Sequence, residues 1–134
     1  MKRIFTLALC LLASTALFAQ TTQVIAHRGF HATKNSVRNS LSALQNAQDF
    51  GAFGSECDIN ETADGVLVVV HGPMHGEYEV QKTDYATLRA KALENGEGLP
   101  TLEEDLIQAK KNVKTKLIIE IKNHYTPAKE TEIV

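Results

Sequence analysis

The sequence lacks an apolar run long enough to cross a membrane as a helix. The N-terminal apolar run, Ile4 to Phe18, has 15 residues, whereas a membrane-spanning helix needs about 20. It follows the basic start Met1-Lys2-Arg3 and ends among small residues before the polar Gln20. This pattern predicts a signal peptide over residues 1–19 and a mature chain, residues 20–134, exported to the periplasm or secreted. The alternative is a retained N-terminal membrane anchor.

Cysteine is also scarce. Cys10 lies inside the predicted signal peptide, which leaves Cys57 alone in the mature chain. A single cysteine forms no disulfide within the chain, so a packed core must stabilise the fold. Cys57 stands between two acidic residues that disfavour its thiolate, and we therefore expect a buried structural cysteine rather than a nucleophile.

Basic side chains do not outnumber acidic ones. Without Lys2 and Arg3 the mature chain keeps 12 basic residues against 16 acidic ones. No stripe of basic residues interleaved with aromatic residues is present. We therefore do not expect nucleic acid as a partner.

The local patterns predict alternating strands and helices in one domain. The predicted elements are a strand at Val24–Ala26, a helix from Asn39 or Ser40 to Asp49, extended runs at Glu56–Thr62 and Val66–Val70 around an Asp-Gly turn, helices from Thr83 or Asp84 to Leu93 and from Thr101 to Asn112, a strand at Leu117–Ile121, and a helix from Pro127. This order is typical of an α/β fold with mostly parallel strands.

Candidate catalytic residues follow the predicted strands directly. His27 and Arg28 come after the first strand, where α/β folds place functional loops. A histidine there can move a proton near neutral pH, and a neighbouring arginine offers planar donors to a phosphate. His71 ends the run Val66–Val70, and two histidines at strand ends can serve as general base and general acid in one displacement.

Two pairs of charged residues repeat the same spacing. Glu56 and Asp58 are two apart on an extended run and therefore share a face, with Cys57 on the other. Glu120 and Lys122 repeat this spacing at the end of the last strand. Oxygen ligands suit a hard divalent cation such as Ca²⁺ or Mg²⁺ better than zinc. For each pair taken alone, solvated strand charges are the better interpretation.

A hairpin around Asp64-Gly65 would bring distant candidates together. Residues equidistant from that turn face each other in a regular hairpin, which would place His71 opposite Asp58. His31, His75 and His124 have no comparable context, so we interpret them as loop or surface residues.

Seven motifs in this order resemble the glycerophosphodiester phosphodiesterase family. They are His27-Arg28-Gly29, Asn39-Ser40, Gly51 before Glu56-x-Asp58, Thr62-x-Asp64-Gly65, Val68 to His71, Leu99-Pro100-Thr101-Leu102-Glu103-Glu104, and Glu120-Ile121-Lys122. Each motif is weak by itself. Together they cover nearly the whole mature chain, from Val24 to Lys122.

The resemblance implies a TIM-type (β/α) barrel and a metal-dependent hydrolase. In that interpretation the substrate is a small glycerophosphodiester, which is cleaved to glycerol 3-phosphate and an alcohol. The residues that match the family's motifs would divide the work as follows: His27 and His71 as the acid–base pair, Arg28 and Lys122 at the phosphate, and Glu56, Asp58 and Glu120 around the divalent cation.

The chain departs from the family pattern at three points. Gly72 stands where the family usually has Asp after the second histidine, and Val37-Arg38-Asn39-Ser40 replaces Pro-Glu-Asn-Thr. A TIM barrel typically needs about 250 residues, so the sequence predicts only the N-terminal half of one. The alternatives are a catalytically inactive half-barrel that binds phosphate or a cation, and a lyase like phosphatidylinositol-specific phospholipase C. The sequence does not predict the oligomeric state.

Overall fold

The structure, a computed structural model, describes residues 22–33 and 35–133. The predicted signal peptide, residues 1–19, lies outside the described residues. Among the helices that are described, none combines the length and the apolar character needed to cross a membrane.

One long strand organises the main sheet. This strand, β2 (Gly54–Glu61), pairs in parallel with β1 (Ile25–Ala26) and with β6 (Lys116–Ile121), and antiparallel with β3 (Leu67–Val69). Gly54 pairs with both β1 and β6, and Ile59 pairs with both β3 and β6. β1 and β3 therefore lie one after the other along the same edge of β2, opposite β6.

The first helix, α1 (Leu41–Phe50), begins and ends at residues suited to those positions. Ser40 caps its N-terminus, because its hydroxyl accepts a hydrogen bond from the Ala43 amide. Gly51 ends it in the left-handed conformation with φ of 78°, which glycine adopts at little cost. Of the two predicted starting residues, the cap is Ser40 and not Asn39.

The segment between β3 and β6 contains four short elements and one longer helix. They are β4 (Met74–His75), β5 (Tyr78–Glu79), a 3₁₀ turn at Val80–Lys82, α2 (Tyr85–Ala90) and α3 (Leu102–Ala109). The last helix is α4 (Pro127–Glu132), which starts with proline at its first turn as predicted.

Two helices are shorter than predicted. α2 stops at Ala90 rather than Leu93, and the next carbonyl, that of Lys91, lies 2.8 Å from Nε2 of His75. α3 opens with the predicted capping box between Thr101 and Glu104. It ends before Asn112, whose side-chain amide donates to the carbonyl of Gln48 on α1.

The core has two apolar clusters on either side of β3. One contains Val68, Val80, Leu88 and Leu99. The other contains Cys57, Ile59 and Val69, which confirms Cys57 as a buried residue. Burial and the nearby carboxylates raise the pKa of its thiol, so it is inert as a nucleophile.

Asp105 on α3 is an acidic residue inside this core. It is 3% exposed, and its Oδ1 has no hydrogen-bond partner among the described residues. Burial raises its pKa to about 7, although the hydrogen bond from Cys57 lowers it in part. Ionising Asp105 therefore costs folding free energy.

Replacing this carboxyl group tests that cost. The pKa of Asp105 is higher in the folded protein than its ordinary 3.8, so its contribution to stability is complete below about pH 4 and is lost as the pH rises through about 7. We expect Asp105→Asn to be more stable than the wild type at pH 8, by on the order of 3 kcal/mol, and to gain little at pH 4. Urea unfolding at the two pH values measures the difference.

Glu103→Gln, on the exposed side of the same helix, is the matched control and should show no such gain. An equal pH dependence of the wild type and Asp105→Asn would contradict the assignment.

Candidate functional site

The predicted site residues meet at one end of the sheet. β1, β2 and β6 are parallel, so their carboxyl ends lie at the same edge. Glu56 and Asp58 lie on β2 and Glu120 lies on β6, while the remaining four predicted residues follow strand ends. The structure brings all seven together: His27, Arg28, Glu56, Asp58, His71, Glu120 and Lys122.

Asp58 is the centre of this group. Its side chain is completely buried, and its Oδ2 lies 3.1 Å from Nε of Arg28 and 3.2 Å from Nδ1 of His71. Its Oδ1 lies 2.8 Å from Nζ of Lys122. The amide of Asn39 donates to Oδ2 at 2.8 Å.

These contacts control the charge of Asp58. Burial alone would raise the pKa of its carboxyl group, but the hydrogen bonds from Asn39, Lys122 and His71 outweigh burial and lower the pKa to about 2. Asp58 is therefore an anion throughout the physiological range.

The hairpin brings His71 to Asp58 with a different register from the predicted one. Ile59 pairs with Val69, and the amide of Val70 donates to the Asp58 carbonyl at 2.9 Å. Val70, not His71, therefore lies opposite Asp58, because three residues, 63–65, separate the facing residues Thr62 and Val66, whereas a hairpin symmetrical about Asp64-Gly65 has a two-residue turn. His71 still reaches the carboxylate because it has left the strand and folds over its end.

The tautomer of His71 follows from its two neighbours. Nη2 of Arg28 lies 3.1 Å from Nε2 of His71, and an arginine can only donate. Nε2 must therefore accept, which leaves the proton of the neutral ring on Nδ1, facing Asp58. In this arrangement the single lone pair of Nε2 accepts the hydrogen bond from Arg28.

The turn after β1 is strained and tightly packed. Arg28 has φ of 57°, a conformation that costs energy in a non-glycine residue and is frequent at functional sites. Gly29 follows with φ of 77°, and a Cβ there would lie 2.5 Å from the Cβ of Ala43. This close approach to α1 holds the backbone so that the Arg28 amide donates to Oε2 of Glu56 at 2.8 Å.

Glu56 is only partly satisfied by the protein. Its Oε2 accepts from Arg28 and lies 3.9 Å from Nε2 of His27. Its Oε1 is buried and has no hydrogen-bond partner within the described part of the chain. An unpaired buried carboxylate oxygen is costly unless a cation or donor joins it.

The three predicted metal ligands fit a hard divalent cation. Glu56, Asp58 and Glu120 each offer one oxygen, and these oxygens lie within 4.8 Å of one another. The free oxygen of Glu56 and the all-oxygen donor set match the preference of Ca²⁺ and Mg²⁺.

Lys122 lies among these carboxylates. Its Nζ is 2.5 Å from Oε1 of Glu120, in addition to its contact with Asp58. Burial alone would lower the pKa of its ammonium group, but the two carboxylates raise it. Lys122 is thus a positive charge at the mouth of the acidic group.

Sequence reasoning missed two amide residues at this site. The sequence indicates Asn39 only as a helix cap and as part of a motif. In the structure its backbone has φ of 59°, and its side-chain amide donates to Asp58. Asn60 lines an open cleft of about 400 Å³ together with His71, Glu120 and Lys122. The alternation that placed Glu56 and Asp58 on one face, extended by two residues, would have indicated Asn60.

The other histidines lie outside the group. The interpretation of His75 as a loop or surface residue is wrong, because it is 8% exposed and lies on β4 against the Lys91 carbonyl. His124 lies beyond β6, with Nε2 3.5 Å from Glu61. His31 lies in the loop after β1, where burial lowers its pKa and the charges of Arg38, His27 and Arg28 lower it further.

Comparison with known proteins shows a family resemblance in sequence. The profile of the glycerophosphoryl diester phosphodiesterase family matches residues 27–133. A glycerophosphodiester phosphodiesterase of Caldanaerobacter subterraneus subsp. tengcongensis is 38% identical over 96 residues, which cover 62% of this chain and 38% of that protein.

Solved structures show the same fold. A glycerophosphodiester phosphodiesterase from Parabacteroides distasonis matches with a TM-score of 0.77 and 46% identity, over 80% of this chain and 45% of that one. An Oleispira antarctica phosphodiesterase in complex with the product sn-glycerol-3-phosphate matches with a TM-score of 0.69 and 27% identity, over 82% and 48%. The chain thus spans less than half of the length of these relatives, and the predicted TIM-type α/β fold is confirmed for the part it shares.

Removing the charge of Asp58 tests its central place. We expect Asp58→Asn to lower the free energy of unfolding at pH 7 by on the order of 3 kcal/mol, because Arg28 and Lys122 lose their buried counter-charge. The pKa of Asp58 is depressed to about 2, so its stabilisation is present above its ordinary pKa of 3.8 and is lost as the pH falls through about 2. Urea unfolding between pH 7 and pH 2 measures both effects.

Asp49→Asn, at an exposed carboxylate near the end of α1, serves as the control. If the two variants lost the same stability at pH 7, Asp58 would not have the role assigned to it.

Proposed function

This chain belongs to the glycerophosphoryl diester phosphodiesterase family, and we propose that its site hydrolyses glycerophosphodiesters to glycerol 3-phosphate and an alcohol with the help of a divalent cation. The observation that carries the proposal is the convergence of three carboxylate oxygens within 4.8 Å of one another. One histidine, His27, lies beside Glu56, and another, His71, lies beside Asp58. The substrate is a small molecule that carries one phosphodiester group.

The phosphate would lie against Arg28 and Lys122. Arg28 uses Nε for Asp58 and Nη2 for His71, and among residues 22–33 and 35–133 no hydrogen bond occupies its Nη1. This nitrogen and the partly exposed ammonium group of Lys122 can donate to phosphoryl oxygens. The two cations would orient the diester and offset its negative charge.

The two histidines would move the protons. The lone pair of neutral His71 is at Nε2, where Arg28 donates, so His71 would take the proton from the attacking oxygen once Arg28 turns to the phosphate. Attack by water would give glycerol 3-phosphate directly, whereas attack by the neighbouring glycerol hydroxyl would give a cyclic phosphate that a water then opens. His27, which is 69% exposed, would give a proton to the oxygen of the departing alcohol as its bond to phosphorus breaks. Asp58 stabilises the positive charge that forms on His71.

Glu56, Asp58 and Glu120 would hold a divalent cation, Ca²⁺ or Mg²⁺. A bound cation polarises phosphoryl oxygens and neutralises the charge that builds up on them. The oxygen of Glu56 that lacks a partner is the strongest support for this part of the proposal.

Turnover is tested with glycerophosphocholine in the presence of Ca²⁺ or Mg²⁺, following the release of glycerol 3-phosphate. We expect His27→Ala and Glu56→Gln to lower kcat/KM by roughly a hundredfold or more, because each removes a group that acts at the reacting atoms. Isothermal titration with each cation should show weaker binding in Glu56→Gln and unchanged binding in His27→Ala.

Glu103→Gln is the control for both measurements. Well-folded protein that binds the cation without turning over the diester would favour the second candidate, an inactive phosphate- or cation-binding module. Gly72, in place of the acid expected after His71, is the observation that favours this candidate. A cyclic phosphate product would instead indicate the lyase.

We further propose that residues 1–19 direct export and that residues 20–134 belong to one domain outside the cytoplasm. The basic start, the uncharged run and the polar residues after it support this proposal. Expression in a bacterial host should yield a processed protein in the periplasm or medium, and N-terminal sequencing should begin near Gln20. Unprocessed protein that sediments with membranes would instead indicate a retained anchor.

A further inference from the structure

Asn60 bonds to the backbone on both sides of His71. It follows Asp58 by two residues on β2 and is 4% exposed. Its Nδ2 donates to the carbonyl of Val70 at 3.0 Å and to the carbonyl of Gly72 at 3.3 Å. Both amide hydrogens are therefore used by the two residues that flank His71.

A second amide fixes the orientation of Asn60. Nε2 of Gln81 donates to Oδ1 of Asn60 at 3.3 Å and to the carbonyl of Asn123 at 2.9 Å. Oε1 of Gln81 accepts from the amide of Tyr125 at 2.9 Å. Rotating the Asn60 amide by half a turn would point an oxygen at two carbonyls and a nitrogen at Nε2 of Gln81, so the three contacts select one orientation.

His71 has few other restraints. It lies beyond the end of β3, and half of its side chain is exposed. Residue 72 is a glycine, and a Cβ there would have no neighbour closer than the Met74 amide at 3.8 Å. Contacts of the ring with Asp58 and Arg28 set its direction only if the backbone beneath it is held in place.

We propose that Asn60, oriented by Gln81, is a positioning residue for His71. The kinetic consequence of this inference rests on the proposed function. Asn60 lines the same cleft as Glu120 and Lys122, but among the described residues its side chain forms no hydrogen bond with Arg28, Lys122 or the carboxylates proposed to hold the cation. Its loss should therefore impair the proton transfer assigned to His71 without weakening the binding of substrate or cation.

Asn60→Asp tests the proposal with almost no change of shape, because the carboxylate cannot donate to the two carbonyls. We expect kcat to fall roughly tenfold or more, since small displacements of a catalytic group are costly, while KM changes by less than about threefold. In Gln81→Met, which adds no charge to the cleft, the affinity for Ca²⁺ by isothermal titration should stay within about twofold. Gln81→Met should lower kcat in the same direction by a smaller factor, and it decides the question if Asn60→Asp does not fold.

Asn112→Asp is the matched control, because its amide also donates to a carbonyl, that of Gln48, away from the site. It should leave kcat unchanged. Equal losses of kcat in Asn60→Asp and Asn112→Asp, or a loss in Asn60→Asp entirely in KM, would overturn the proposal.

NMR separates this inference from the proposed function. The ring resonances of His71 should shift or broaden in Asn60→Asp and Gln81→Met, while those of His75 stay in place, whether or not the wild type turns over a diester. Wild-type protein without turnover would refute the proposed function alone. Unchanged His71 resonances in both variants would refute the positioning role alone.

Discussion

The buried carboxylate of Asp58 is the interaction on which the rest of the site depends. Its two oxygens contact side chains from three different parts of the chain: Asn39 and Arg28 after β1, His71 after β3, and Lys122 after β6. An anion with no exposure is tolerated only when its lone pairs are filled by charged or polar donors. Asp58 therefore holds each of these segments at the end of the sheet, and each segment in turn stabilises the buried charge of Asp58.

The order of the strands makes this convergence possible. β1 and β3 occupy successive stretches of one edge of β2, and the loop after β1 fills the interval between them, where Asn39 accepts a hydrogen bond from the Asp58 amide. Because β3 runs antiparallel, the chain that leaves it returns along this edge and carries His71 to the carboxylate. A parallel strand in the same place would have its carboxyl end farther from Asp58.

The charges at the site do not balance, because two cations, Arg28 and Lys122, face three carboxylates. Arg28 and Lys122 offset Asp58 and Glu120, whereas one buried oxygen of Glu56 has no hydrogen-bond partner among the residues that the structure describes. Such an oxygen lowers the stability of the fold, and a bound divalent cation would remove this destabilisation. The same group of residues would then serve both the stability of the protein and its chemistry, as buried charges at functional sites often do.

The sequence by itself determined what depends on neighbours in the chain: the placement of Glu56 and Asp58 on one face of a strand, a helix start at Asn39 or Ser40, the capping box at Thr101, and the motif order that resembles the family. Only the tertiary structure decided the one-residue change in hairpin register, the contacts of Asn39 and Asn60, and the burial of His75 and Asp105. The physical reason is that these features depend on groups brought together from distant parts of the chain. A strand's alternation shows which side chains share a face, but not which donors from other segments will meet them there.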